Sequence, residues 1–398
     1  MSASSKQRPT EILYVIGSLD LGGTEHHLAQ LAPALKRRGW TPVIYCLSRR
    51  GVLAKPLQMQ GVEVIGPPFD YAERTAPIKA LGLLASCIKL LGILLRRRPT
   101  IAHFFLPMAY VIAAPLAILA RVPIRAMSRR SLNIYQNKHP IFFRLELLLH
   151  KHVHALLGNS KAVVAELASE TGNSPRIGLI YNGVDLSEFG KALGGDGGAS
   201  RSGNEDLTLV IVANLIPYKG HVDLFNALAI AARELPRNWK LLCVGRDDGL
   251  GSRLKELAHQ LELDAHIQLL GQRQDISVLL RSSDIGLICS HEEGFSNAIL
   301  EGMATGLPMI VTNVGGNAEA VVHGQTGLVV PARDPAVLGQ AILTLAKDAD
   351  LRWRMGQKGR QRVHDLFTFD RCIENYDKFY RALDNGLRPA DVAGLGIT

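Results

Sequence analysis

Short apolar runs alternate with helical stretches along this chain of 398 residues, and this alternation limits its fold most strongly. Residues 11–16, EILYVI, end in the loop GSLDLGG, after which TEHHLAQLAPALKRRG has apolar residues at helical spacing. Further strands are predicted for TPVIYCL, VEVIGPP, TIAHFFL and PIRAMSR. A repeated order of strand and helix predicts a parallel sheet with helices on both faces.

A stretch without this pattern divides the chain. Residues 190–206, GKALGGDGGASRSGNED, are rich in Gly, Ser and charge, and we interpret them as a linker or surface loop. After them the alternation resumes, with strands predicted in LTLVIVAN, WKLLCVG, HIQLLG, IGLICS, PMIVTN and TGLVVP. We therefore predict two doubly wound domains, residues 1–189 and 207–366, and a C-terminal helix and tail, residues 367–398, packing back toward the N-terminal domain.

The whole chain has a net charge of +9, and its excess of basic residues lies in the first half. Residues 1–190 contain 23 Lys/Arg and 11 Asp/Glu, and the remainder contains 22 and 25. This imbalance predicts an anionic partner for the first half, with a solubilising surface as the alternative. No cluster of base-stacking aromatic residues accompanies the charge, so we expect no nucleic-acid partner.

Two apolar stretches resemble membrane spans. Residues 80–95 contain Lys89, are shorter than a typical span and run into three arginines. We expect a helix that either lies on an anionic membrane surface through residues 79–98 or packs on the sheet. Residues 104–120 contain two prolines and follow a strand directly, which favours a buried helix.

The cysteines and the first residues favour a cytoplasmic location. The five cysteines are scattered and lack the spacing of a disulfide framework or a zinc site. Residues 1–10 are polar and lack the apolar core of a secretion signal. We expect a cytoplasmic protein, which would attach peripherally to the inner face of the cytoplasmic membrane if residues 79–98 form the membrane-surface helix.

The segment most informative about chemistry is residues 289–301, CSHEEGFSNAILE, which joins a predicted strand to a predicted helix. Ser296 is predicted to cap that helix, leaving the N–H groups of residues 297–299 at the carboxyl edge of the sheet, where they can bind a diphosphate. Glu293 and Glu301 flank this turn. We expect them to accept hydrogen bonds from sugar or ribose hydroxyls, or to stabilise a developing cation, the alternative being two solvated glutamates.

Two other loops are candidates for ligand contact. Lys219 follows the first strand of the second domain, where its ammonium group can neutralise a phosphate. In the first domain Gly22 and Gly23 would let the backbone approach a ligand, although an ordinary helix-entry turn is the alternative. The loop at residues 17–22 lacks the GxGxxG spacing of dinucleotide sites, which counts against the other class considered, a nicotinamide-dependent oxidoreductase.

Several segments together resemble the retaining glycosyltransferase family 4. The resemblance is carried by GGTE at 22–25, SRR at 128–130, NS at 159–160, YNGVD at 181–185, YKGH at 218–221, EGFSNAILE at 293–301 and GLPMIVTNVGGNAE at 306–319. It implies the GT-B fold, in which two Rossmann-like doubly wound domains face each other across a cleft. A nucleotide-sugar epimerase of the same fold is the nearest alternative.

The resemblance also implies an activity. A hexose or N-acetylhexosamine would pass from a nucleoside-diphosphate sugar, UDP being preferred to GDP, to a hydroxyl of a glycan or lipid-linked acceptor. This would serve cell-surface polysaccharide or glycolipid synthesis, with retention of configuration. The first domain would hold the acceptor. Members typically need no divalent metal or other cofactor, and we interpret the lone Asp-x-Asp, Asp348-Ala349-Asp350, as surface.

Carried to individual positions, the resemblance places Lys219 on the donor diphosphate, Glu301 on the ribose hydroxyls and Glu293 beside the transferred sugar. Gly23 would approach the donor from the first domain. Whether Glu293 acts as a nucleophile or stabilises a front-face substitution is left open. The diphosphate site would be completed by the backbone of Gly294, Phe295, Ser296 and Asn297.

Two positions depart from the family pattern. Many members have Arg five residues before the diphosphate lysine, where this chain has Asn214, and Arg246 is a candidate to supply the missing charge. Several members have a His-x-His arrangement after a strand of the first domain. Only His103 matches it here, and it is expected either to bind the sugar or to be a hydrogen-bonded core histidine.

Overall fold

The computed structural model describes residues 10–133, 139–190 and 206–396, and the chain divides into two compact units. Unit 1 takes in Met1–Ile180 and Ile373–Thr398, and unit 2 takes in Tyr181–Cys372. Residues 181–189, which we placed in the first domain, belong to unit 2. They do so because Val184 exchanges backbone hydrogen bonds with Phe367 and Phe369, and Phe189 joins the same apolar core. Most of the predicted linker lies outside the described residues.

Unit 1 contains a seven-stranded parallel sheet in the order β3-β2-β1-β4-β5-β6-β7. The sequence pattern predicted five of these strands and missed β6 and β7. The strands are β1 Glu11–Ile16, β2 Thr41–Cys46, β3 Glu63–Ile65, β4 Ile101–Phe105, β5 Ile124–Arg129, β6 Ala155–Gly158 and β7 Ile177–Leu179.

The helices described in unit 1 cover both faces of this sheet. Helix Pro107–Leu119, predicted from residues 104–120, packs over β4 and is largely buried, which confirms that prediction. Helix Ala76–Arg97 is the one described helix that is long and apolar enough to cross a membrane by length and composition. The other α-helices are Gly23–Arg37, Ala54–Met59, Pro140–His150, Lys161–Thr171 and Phe369–Asp384, whose residues from 373 onward belong to unit 1.

Unit 2 contains a six-stranded parallel sheet in the order β10-β9-β8-β11-β12-β13, and all six strands were predicted. They are almost continuously apolar because helices bury both faces of the sheet. The strands are β8 Asp206–Val212, β9 Asn238–Val244, β10 Ile267–Gly271, β11 Ile285–Ile288, β12 Met309–Thr312 and β13 Gly327–Val330. The α-helices described in unit 2 are Leu186–Phe189, His221–Ala231, Gly251–Gln260, Ile276–Arg281, Asn297–Ala304, Asn317–Ala320, Pro335–Lys347 and Ala349–Leu366.

Candidate donor site

Two loops meet at the carboxyl edge of the unit 2 sheet, where β8 and β11 lie side by side. β9 continues the sheet beyond β8, and β12 continues it beyond β11, so the winding reverses between these two strands. Ligands bind at such switch points in open parallel sheets. Lys219 follows β8 and Glu293 follows β11, so the topology brings both residues to this point.

Lys219 and Glu293 form an ion pair, with 2.6 Å between Nζ and Oε1. The Ser290 hydroxyl donates to the same carboxylate oxygen over 2.7 Å. Desolvation favours the neutral amine, but the attraction of Glu293, together with smaller contributions from Tyr218 and Glu292, outweighs this effect and raises the pKa of Lys219. Lys219 is therefore a cation at neutral pH, and two donors hold one oxygen of Glu293 in place.

Gly220 allows the loop after β8 to approach the end of β11 this closely. Its φ is +75°, and a Cβ at this position would overlap the carbonyl oxygen of Cys289. The backbone N–H of His291 donates to the backbone carbonyl of Tyr218 over 2.7 Å and links the two loops again. A side chain at position 220 would therefore displace Lys219 from Glu293.

The loop after Glu293 leads into the helix Asn297–Ala304, with Ser296 at the N-cap position. This confirms the predicted position of the cap. Ser296 has the extended backbone of an N-cap residue, and its side chain accepts no hydrogen bond from the helix. The N–H groups of the first turn have no partner inside a helix, and the helix dipole is positive at this end. Both properties favour an anion at this position.

Two residues that the sequence analysis did not single out hold this loop. Asn182 donates through Nδ2 to the carbonyl of Phe295 over 2.9 Å and to Oδ1 of Asn297 over 2.7 Å. Gly315 has a φ of +50°, and a Cβ there would overlap the carbonyl oxygen of Glu293. Both lie in segments that carry the family resemblance, YNGVD and TNVGGN, which was the available signal.

Glu301 lies in the second turn of the same helix and is half-buried. Desolvation, and to a lesser degree the charge of Glu188, raise the pKa of its carboxyl group to about 7. Glu188 belongs to the short helix Leu186–Phe189, which packs against the helix bearing Glu301. Among the described residues no cation forms a salt bridge with Glu301. A desolvated carboxylate in this situation is suited to accept hydrogen bonds from hydroxyl groups.

The structure brings Asn214 and Arg246 together at the ends of β8 and β9. Asn214 Oδ1 accepts the N–H of Arg246 over 3.1 Å. The guanidinium group of Arg246, however, forms a 2.6 Å ion pair with Asp248, which also accepts from Asn214. Arg246 is therefore near the position where a family arginine is missing, but a carboxylate already balances its charge.

In unit 1 the two glycines begin the helix Gly23–Arg37, with Gly22 at the N-cap position. A Cβ at Gly22 would overlap the carboxylate of Glu25, whereas no atom lies within 4 Å of a Cβ at Gly23. Gly22 therefore fits the helix-entry interpretation. The open space at Gly23 is compatible with the approach of a ligand, which remains a prediction.

His103 lies in β4 and is fully buried. Its Nδ1 is 2.7 Å from the hydroxyl of Tyr380, and its Nε2 is 2.8 Å from the hydroxyl of Ser128. Desolvation and, secondarily, the charge of Arg130 lower its pKa to about 3. Of the two interpretations, the structure supports the hydrogen-bonded core histidine, so the assignment of His103 as a catalytic residue is corrected.

The Asp-x-Asp of the sequence has a structural role. Asp348 is exposed and accepts the N–H of Leu351 over 2.7 Å, which caps the helix Ala349–Leu366. Across residues 10–133, 139–190 and 206–396, no group of three or more His, Cys, Asp or Glu side chains could hold a metal ion.

Comparison with known proteins agrees with this geometry. The model for glycosyl transferases group 1 matches residues 198–362, and the model for glycosyltransferase family 4 matches residues 21–188. Together they cover most of the chain. The chain therefore belongs to the group 1 and family 4 glycosyltransferases.

Several curated relatives share this class. N-acetyl-alpha-D-glucosaminyl L-malate synthase of Bacillus anthracis is 30% identical over 208 residues, which are 51% of this chain and 53% of that protein. D-inositol 3-phosphate glycosyltransferase of Corynebacterium efficiens is 31% identical over 56% of this chain and 55% of that protein. The chain thus spans about half the length of these first relatives. The enzyme of that name from Pseudarthrobacter chlorophenolicus is 27% identical over 92% of both chains.

Solved structures share the fold. HepE of Anabaena in complex with UDP and glucose has a TM-score of 0.80 at 20% identity, covering 94% of this chain and 100% of that chain. Sucrose-phosphate synthase of Thermosynechococcus elongatus has a TM-score of 0.78 at 20% identity, covering 95% and 100%. The fold is GT-B, as the sequence resemblance implied.

Proposed function

We propose that this glycosyltransferase moves a hexose or N-acetylhexosamine from a UDP-sugar to a hydroxyl of a glycan or lipid-linked saccharide, with retention of configuration and without a divalent metal. The observation that carries this proposal is the Lys219–Glu293 pair beside the start of the helix Asn297–Ala304. It combines a cation, N–H donors and a fixed carboxylate at one switch point.

The diphosphate would bind to Lys219 and the first turn of that helix. Negative charge develops on the leaving nucleotide during glycosyl transfer, so donors fixed before the reaction stabilise the transition state more than the ground state. Lys219 and the helix start supply positive charge where other enzymes use a metal ion. This supports a metal-independent reaction.

Glu293 would lie beside the transferred sugar and stabilise its oxocarbenium-like transition state. Lys219 and Ser290 both bond one oxygen of Glu293. Because that oxygen is already engaged by two donors, we favour a stabilising role over a nucleophilic one. Glu301 would accept hydrogen bonds from the ribose hydroxyls.

The choice of UDP is supported by the relatives of the same fold. HepE of Anabaena has been solved with UDP and with UDP-glucose, and a related protein is the capsular polysaccharide biosynthesis glycosyltransferase CapM of Staphylococcus aureus. We extend this to synthesis of a cell-surface polysaccharide or glycolipid on the cytoplasmic side of the membrane.

The test is release of UDP from a panel of UDP-sugars by the purified protein, with and without saccharide acceptors and with and without EDTA. We expect UDP release that depends on the acceptor and that EDTA does not change. We also expect NMR to show an axial linkage in the product formed from an axial donor. Isomerised donor in the absence of acceptor would instead indicate an epimerase. An inverted product linkage would contradict retention.

A further inference from the structure

Three helices on one face of the unit 1 sheet expose apolar side chains to solvent. They are Ala76–Arg97, Pro107–Leu119 and Pro140–His150, and the second packs against both of the others. Residues from all three helices contact one hydrophobic core of the sheet. Their outward sides together form what we call the three-helix face.

The longest helix contributes a regular stripe to this face. Leu81, Leu84 and Ile88 are 61%, 58% and 65% exposed. Their spacing places them on one side of the helix, opposite the side on which Leu90 and Leu94 are buried. An exposed row of large aliphatic residues of this kind marks an interaction surface.

The helix Pro140–His150 repeats the arrangement. Ile141, Leu145 and Leu148 recur at spacings of four and three residues and are 73%, 44% and 61% exposed. Glu146 and His150 are buried on the opposite side. Leu119, at the end of the helix between them, is also exposed, so the apolar surface continues across the layer.

The segment that contains the first two of these helices carries charges of one sign. Residues 74–125 contain eight Lys/Arg and no Asp/Glu. Arg97 is bound to Glu11 and Glu63, but Arg96, Arg98 and Arg121 are exposed at the ends of two of the helices.

These helix ends lie at one edge of the sheet. The N–H of Ile124 donates to the carbonyl of Thr100 over 3.1 Å, and Nε of Arg125 donates to the carbonyl of His152 over 2.9 Å. The residues that follow the three helices are thus neighbours, and Lys151 adds a further exposed charge to the same edge. Anionic headgroups would meet this basic edge.

We propose that the three-helix face docks unit 1 onto an anionic lipid bilayer, with the aliphatic stripes in the interfacial region and the basic edge on the headgroups. Apolar area and cationic charge together are what interfacial helices require. The proposal extends the surface expected at residues 79–98 to two further helices and does not depend on the donor site.

The helix Ala76–Arg97 lies on the bilayer in this arrangement and does not cross it. Its Ser86 hydroxyl donates to the carbonyl of Leu47 over 2.7 Å, and its Ser86 carbonyl accepts the hydroxyl of Tyr45 over 2.8 Å. Lys89 donates to the carbonyl of Gly66 over 2.8 Å. Extraction into a bilayer would break these contacts and expose the core of unit 1.

A second copy of the chain fits this face less well than a bilayer. Self-association would bring two surfaces of equal positive charge together, because residues 74–125 supply no carboxylate to oppose the arginines. Like charges at a shared interface repel. Anionic lipid is the occupant that matches both the apolar area and the charge.

The experiment is sedimentation of the full chain with vesicles of phosphatidylcholine and phosphatidylglycerol, compared with vesicles of phosphatidylcholine alone. One variant carries Leu81→Gln, Leu84→Gln and Ile88→Gln, and a second carries Ile141→Gln, Leu145→Gln and Leu148→Gln. The matched control replaces three exposed apolar residues of unit 2, with Ile230→Gln, Val278→Gln and Trp353→Gln. Melting temperatures check that each variant is folded.

We expect the wild type and the control to sediment with the anionic vesicles only, and both stripe variants to lose this binding. High salt should weaken the binding, because the basic edge is exposed. The proposal would be overturned if the protein sedimented equally with vesicles that contain or lack phosphatidylglycerol. It would also be overturned if only one of the two stripe variants lost vesicle binding, or if the wild type formed a dimer, abolished in both stripe variants, and did not bind vesicles.

Discussion

Ionisation of Glu301 should lower the free energy of unfolding of the protein at neutral pH. Its carboxyl group has a pKa raised from the usual 4.5 to about 7. The unfolded chain ionises this group from the usual pKa upward, whereas the folded protein resists ionisation until the higher pKa. Stability is therefore unaffected below the lower value, falls as the pH rises between the two values, and stays reduced above the higher one.

The size of this effect follows from the change in pKa. A rise from 4.5 to about 7 corresponds to about 3 kcal/mol in the free energy of unfolding. Glu301→Gln removes the ionisation, so the variant should gain about 3 kcal/mol over the wild type as the pH is raised from about 4 to about 8. Effects of the substitution that do not depend on pH cancel in this comparison.

Urea unfolding at a series of pH values measures the difference. In a Trp40→Phe background, both remaining tryptophans, Trp239 and Trp353, lie in unit 2, so fluorescence reports that unit. The same replacement at Glu256, which is exposed, controls for the change in charge. Glu188→Gln should narrow the gap, because Glu188 contributes to the raised pKa.

The reasoning is refuted if Glu301→Gln and the wild type differ by a constant amount at every pH. If the carboxylate binds ribose hydroxyls, the variant should also bind UDP about tenfold or more weakly, because a charge-assisted hydrogen bond is lost. Higher stability combined with weaker binding would mark Glu301 as a residue kept for function.

Three other substitutions separate the roles of the residues. Ser290→Ala should lower kcat about tenfold with little change in the donor KM, because Ser290 orients Glu293. The control is Thr305→Ala, since the hydroxyl of Thr305 donates to the carbonyl of Gly302 in the adjoining helix. An equal loss of kcat in both variants would argue against this role for Ser290. His103→Ala should lower the free energy of unfolding of unit 1 by about 3 kcal/mol. At temperatures well below its melting temperature, the variant should turn over substrate as fast as the wild type. Loss of turnover in a variant that is still stably folded would restore His103 to the catalytic site. Arg129→Met removes the buried cation that pairs with Glu146 and Glu170 and should cost about 3–5 kcal/mol. Burial raises the pKa of Glu170, but hydrogen bonds from His150 and Arg129 outweigh this and lower it to about 2. The stability that the ionised Glu170 gives the wild type should therefore be lost as the pH falls from about 4.5 toward 2. An acid titration in which stability does not fall over this range would contradict the network.

Much of the fold could be predicted because it is written in local patterns. Eleven strands were predicted from apolar runs beside helical stretches, and β6 and β7 were missed. Their length of four and three residues is not the reason, because β3 and β11 are as short and were predicted. The segment 181–189 was misplaced because its partners, Phe367 and Phe369, lie far along the chain.

The site followed the same division. Lys219 and Glu293 could both be predicted to lie at the carboxyl edge of the sheet, because each is in a loop that follows a parallel strand. The structure adds that these two strands, β8 and β11, are neighbours. The state of His103 could not, since Tyr380, which bonds its ring, is 277 positions away. The raised pKa of Glu301 likewise depends on a fold that buries its carboxyl group near Glu188.

Calorimetric titration with UDP tests the central claim most directly, because it asks whether the carboxyl edge of unit 2 binds a nucleoside diphosphate. Lys219→Ala should weaken binding about tenfold or more, since one charge-assisted phosphate contact is lost. Lys240→Ala, an exposed lysine in β9, should bind UDP as the wild type does. Equal affinity in the wild type and Lys219→Ala would contradict the donor site described here.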